Sequence, residues 1–73
     1  MSKRSDELFE EALKDLPADD EFVKHGLDRL HGGGSELALE SLLTCVDNME
    51  TKKKFWWEDE AREIVAEYIK PRR

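Results

Sequence analysis

The chain predicts an all-α fold, a small bundle of four short helices. Apolar residues recur at spacings of three and four, and no stretch shows the alternation of a strand. Pro17, the glycine triplet Gly32-Gly33-Gly34 and the polar stretch Glu50 to Lys54 divide that pattern into four segments. At 73 residues the chain has room for one domain. A core of this size stabilises a fold by only about 3–5 kcal/mol.

The first helix is predicted from about Asp6 to Leu16, with Ser5 as its cap and Asp6 and Glu7 at the positive end of its dipole. Leu8, Phe9, Ala12, Leu13 and Leu16 form one stripe, and Pro17 ends it. The second helix runs from about Asp20 to His31 behind a cap at Asp19, with Phe22, Val23, Leu27 and Leu30 on one face. Gly26, inside that segment, either permits a close helix crossing or marks an early end. Gly32 is the expected left-handed terminator, and the triplet reads as a flexible hinge.

The third helix is predicted from about Ser35, as cap, to Met49, with Leu39, Leu42, Leu43, Val46 and Met49 buried and Leu37 and Ala38 at the stripe's edge. The fourth runs from about Trp57 to Lys70, closed by Pro71. Its inner side carries Trp57, Ala61, Ile64, Val65, Tyr68 and Ile69. The predicted core is Leu8, Phe9, Leu13, Phe22, Leu27, Leu30, Leu39, Leu42, Leu43, Val46, Ile64, Val65 and Tyr68.

Charge is unevenly distributed. Residues 6–50 hold thirteen acids and three bases, whereas residues 51–73 hold seven bases and five acids, and the whole chain carries −6. A concentrated negative field on so small a body repels nucleic acid and attracts basic protein surfaces. The same charge would also serve solubility alone.

No constellation points to catalysis. His25, His31 and Cys45 are the candidate soft metal ligands, but the two histidines are six apart, off a common helical face, so no metal or cofactor is expected. Cys45 falls beside an apolar stripe and reads as a buried structural thiol, in a chain with no second cysteine for a disulfide. The acids before the second and fourth helices are explained by favourable helix-start charge. Without a nucleophile–base pair or metal set, the chain is expected not to be an enzyme. The polar start and the lack of a long apolar run predict a soluble, cytoplasmic protein with no signal peptide and no membrane partner.

Lys52-Lys53-Lys54-Phe55-Trp56-Trp57 is the one basic-aromatic cluster. Trp57 fits the stripe of the fourth helix. Trp56 then points about 100° away and is either an edge-packing residue or an exposed binding anchor.

From Gly33 to Leu42 the chain reads Gly-Gly-Ser-Glu-Leu-Ala-Leu-Glu-Ser-Leu. A glycine turn followed by Leu37-Ala38-Leu39-Glu40 and Leu42 resembles the MafI-type family of small immunity proteins, as do Phe22-Val23 and His25-Gly26 upstream and the amphipathic last helix. The resemblance covers Phe22 to Asp47. It departs from the family pattern at Gly34-Ser35, where an acidic and an aromatic residue are usual, and in a longer spacing from His25-Gly26 to the triplet. It implies a bacterial immunity protein that binds a cognate toxin domain, often a nuclease, and blocks it without catalysis.

Charge supports the same expectation from a separate direction, because a nuclease carries a basic groove that carboxylates can occupy in place of phosphates. The expected contact residues are Asp19, Asp20, Glu21, Glu36 and Glu40, with Trp56 as apolar anchor. Glu36 and Glu40 lie one turn apart and are expected to be solvated. The alternative is an acidic adaptor or regulatory subunit that docks on another protein through a helical groove.

Overall fold

The computed structural model describes residues 3–50 and 53–69. They form four helices and no strand: α1 (Lys3–Asp15), α2 (Glu21–Gly33), α3 (Ser35–Asn48) and α4 (Glu58–Tyr68). This is the all-α bundle that the periodicity predicts. Lys52, Lys70 and Pro71, named above, lie outside the described residues.

The bundle is organised around α3, which packs against each of the other three helices. Its buried residues are Ser35, Ala38, Leu39, Ser41, Leu42, Leu43 and Cys45. They cover roughly half of the helix circumference, and the remaining face carries Glu36, Glu40, Thr44 and Asp47. Onto it α1 lays Leu8, Phe9 and Ala12, with Leu16 just beyond its end, and α4 lays Ala61 and Val65. Trp57, Phe55, Val23 and the partly buried Leu13, Phe22, Leu30, Val46, Met49 and Ile64 complete the core.

Two predicted core residues are corrected. Leu27 and Tyr68 are exposed, and Ile69, placed on the inner side of the last helix, is exposed with them. On α2 the face against α3 is centred on Val23, Gly26 and Leu30. A β-carbon on Gly26 would stand 3.2 Å from the Ala38 carbonyl oxygen and 3.2 Å from Leu42. Gly26 therefore marks a close helix crossing, and Leu27, one position on, is turned away from the contact. Tyr68 and Ile69 sit at the far end of α4, beside the start of α3, where no further helix covers them.

The helix starts also differ from expectation. Helix α1 begins before Ser5, which is fully buried, and the Ser5 and Ser35 hydroxyls lie 2.6 Å apart. Two serines that read as caps instead hydrogen-bond each other across the α1–α3 contact. The cap of α2 is Asp20, not Asp19: its carboxylate accepts from the Phe22 amide at 2.7 Å. The glycine that leaves helical conformation is Gly34, with φ +105°, while Gly32 and Gly33 form the last turn of α2. A single residue thus joins α2 to α3, and the expected three-residue hinge is replaced by a tight corner.

Candidate functional site

Most of the described basic residues are taken up by acids of the same chain. Arg62 on α4 bridges Asp47 at 2.8 Å and Glu58 at 2.9 Å. Arg4 grips Glu60 through two nitrogens, at 2.6 and 2.7 Å, which holds the Glu60 carboxyl below its usual range. Arg29 reaches Glu40 at 2.8 Å and the Leu37 carbonyl at 3.2 Å. Lys54 meets Asp59 at 2.9 Å, and Lys14 meets Glu11 at 3.4 Å. Exposed pairs of this kind add little stability, typically about 0–1 kcal/mol. Their larger consequence is that the positive charge of Arg4, Lys14, Arg29, Lys54 and Arg62 is neutralised locally. Asp6, Glu10, Asp19, Glu21, Asp28, Glu36, Glu50, Glu63 and Glu67 make no ion pair or side-chain hydrogen bond among the described residues.

The structure divides the predicted contact residues. Asp19 and Glu21 are exposed at the start of α2, and Asp20 is occupied as the cap. Asp20 also stands against Cys45, near the end of α3. Glu36 is at the opposite end, nine residues earlier in the same helix, which is about 13 Å along the axis. The acids of the two clusters are therefore not brought together. Glu40 is not free either, since Arg29 holds it between α2 and α3. Both Glu36 and Glu40 are half-buried instead of fully solvated. Trp56 is 63% exposed while Trp57 is fully buried, and the two part within the turn that precedes α4, not on a helix.

Glu36 belongs to a different grouping, which the sequence reading missed. It lines an open groove of about 360 Å³ with Glu63, Ile64, Glu67 and Tyr68 of α4. The floor is apolar, from Ile64 and half of Tyr68, and the rim carries three unpaired carboxylates. Glu63 and Glu67 are one turn apart on the same helix. Like charges at that spacing destabilise a helix by roughly 0.2–0.5 kcal/mol, and no described cation offsets them. The available signal was this double spacing, Glu63 with Glu67 beside Ile64 with Tyr68. Assigning Tyr68 to the core obscured it.

On the opposite flank of α4 a second groove runs past Leu43, Val65, Ala66 and Ile69. Its acids, Glu40 and Asp47, are held by Arg29 and Arg62. The two grooves share one helix and differ in the state of their charge.

The Cys45 thiol is buried, and burial, followed by its hydrogen bond to the Asp20 carboxylate, pushes its pKa up to about 11. A thiol held in its protonated form is a poor nucleophile and a poor metal ligand. His25 and His31 are exposed, and no group of acids, histidines and cysteine among the described residues is arranged to hold a metal. No helix among them is long and apolar enough to cross a membrane. Comparison of the chain with protein-family models, with characterised proteins and with solved structures finds no match.

Proposed function

We propose that this protein is a non-enzymatic immunity protein of the bacterial cytoplasm, one that binds and neutralises a basic toxin domain of the nuclease kind. One observation carries the reading: among the described residues Arg4, Lys14, Arg29, Lys54 and Arg62 are paired with acids of the same chain, while nine carboxylates make no ion pair or side-chain hydrogen bond. A nuclease domain needs a positive surface for its phosphate substrate. An acidic helical body seated on that surface excludes the substrate by occupying its place, and complementary charge accelerates the encounter. The exposed Trp56 supplies an apolar anchor of the type that concentrates binding energy.

The test is co-expression with the product of the reading frame that borders the gene. Growth should be restored and a stable complex should co-purify, with an association rate that falls steeply as salt rises. A complex without growth rescue would assign the chain to the adaptor class. Absence of any complex, or an association rate indifferent to salt, would remove the acidic-mimic reading.

A further inference from the structure

Resting on the reading of a basic protein partner, we infer that the groove lined by Glu36, Glu63, Ile64, Glu67 and Tyr68 is where that partner docks, and that its occupant is an amphipathic segment presenting an apolar side chain flanked by lysine or arginine. Of the contact residues expected from sequence, Asp19, Asp20, Glu21, Glu36, Glu40 and Trp56, only Glu36 lines this groove. Geometry favours the groove, because Asp20 and Glu40 already have internal partners, whereas Glu36, Glu63 and Glu67 have none.

Shape and charge give the occupant its chemistry. The floor is Ile64, partly buried against the core, and Tyr68, half exposed. An aliphatic or aromatic side chain seated there would cover apolar surface now facing water. Three carboxylates stand around that floor, and none has a cation of its own among the described residues. An apolar occupant without charge would bring three carboxylates close to a drying interface, which costs free energy unless each gains a partner. A segment with cations on both sides of an apolar residue satisfies floor and rim together. The groove on the other flank of α4 lacks this demand, since Arg29 and Arg62 already neutralise its acids. The half-exposed Tyr68 hydroxyl adds a polar contact for a backbone or side-chain group at the groove's edge.

The experiment titrates the full chain with synthetic helical peptides of about fourteen residues, one with a leucine stripe flanked by lysines and one with glutamine in place of every lysine. Nuclear magnetic resonance shifts of Ile64, Glu67 and Tyr68 report the place of binding. Glu63→Gln with Glu67→Gln should weaken the lysine peptide by about tenfold or more. Asp6→Gln with Glu10→Gln removes the same charge from α1 and should cost no more than about threefold through the general field. Thermal melting of both variants should match the parent, because the four positions carry no internal contact.

Equal losses in the two double variants would overturn the groove and leave a diffuse acidic field. Equal binding of lysine and glutamine peptides would overturn the cationic occupant. A rise in affinity when Lys70, Arg72 and Arg73 are changed to alanine would assign the groove to the chain's own basic tail instead. With the bordering-gene product in place of peptide, equal affinity for parent and Glu63→Gln, Glu67→Gln would sink the groove alone, whereas no binding to the parent would sink the proposed function.

Discussion

The two ends of α3 are built differently. At its C-terminal end Asp20 caps α2 and stands against the Cys45 thiol, Arg62 bridges Asp47 and Glu58, and Trp57 is buried with its indole donating to Asp15 at 2.8 Å. Phe55 stacks on Trp57 with ring centres 5.1 Å apart. Asp15, Asp20 and Asp47 there each have a partner, while Asp19 and Glu21 beside Asp20 do not. At the N-terminal end the chain turns on one glycine, α4 runs out, and Glu36, Glu63 and Glu67 are left facing solvent over Ile64 and Tyr68. The contrast separates two uses of the same residue types. Asp15, Asp20 and Asp47 tie elements together at the closed end, while Glu36, Glu63 and Glu67 at the open end contribute field and surface without an ion pair. Net charge alone would count them equally.

The largest expected effect lies at the closed end. Trp57→Ala removes a fully buried indole, its stack with Phe55 and the hydrogen bond to Asp15. It should cost about 3–5 kcal/mol, comparable to the whole stability of so small a domain. Thermal melting should show a lost or strongly lowered transition. Trp56→Ala, one position away and largely exposed, should leave the melt within about 0.5 kcal/mol of the parent. A similar loss at both positions would erase the distinction between a closed end and a free surface.

How much of this was legible follows from which level each feature depends on. Helix number and the stripe of α1 and α3 depend on local periodicity, and Leu8, Phe9, Leu39, Leu42 and Leu43 are all buried where that period places them. The errors arose where a residue's meaning depends on a distant one. Ser5 and Ser35 each carry a capping chemistry, and nothing local says that they will meet across two helices. Asp19 and Asp20 are equivalent in sequence, and the turn after Pro17, closed by the Asp20 amide on the Pro17 carbonyl, selects the second as cap. Glu40 looked like a free acid of the same face as Glu36 until the α2–α3 corner brought Arg29 to it. Tyr68 continues the apolar period of α4 faithfully, but the core ends before it does. Long-range pairing of this kind decided the site, so the groove was only half readable from spacing.

A second test at the closed end uses pH. The Cys45 thiol rises from an ordinary value of 9.0 to about 11 in the fold. Above about pH 9 the unfolded chain releases this proton while the folded chain keeps it, so the unfolded state gains and stability falls. The contribution is fully present below pH 9 and should decline by roughly 2 kcal/mol by pH 11. Chemical denaturation from pH 7 to pH 11 should show that decline in the parent, over and above the slope of Cys45→Ala, in which the other titrating groups remain. Parallel slopes for the two proteins would mean that Cys45 and Asp20 are not packed as described.

The last effects belong to the open end, where the glycine triplet offers opposite signs within three residues. Gly34 adopts φ +105°, ψ 168°, a region that side chains other than glycine rarely occupy, so Gly34→Ala should destabilise by about 1–3 kcal/mol. Gly32 is helical, and a β-carbon there meets nothing within 4 Å. Gly32→Ala should therefore stabilise by up to about 1 kcal/mol, through higher helix propensity and a less disordered unfolded chain. Both are read from urea midpoints at unchanged slope. If the triplet were a three-residue hinge, both substitutions would act alike and the slope would change with them. Opposite signs would instead establish that the α2–α3 corner turns on Gly34 alone. The start of α3, and with it Glu36 at the groove's rim, would then be held by one backbone conformation and not by a flexible linker.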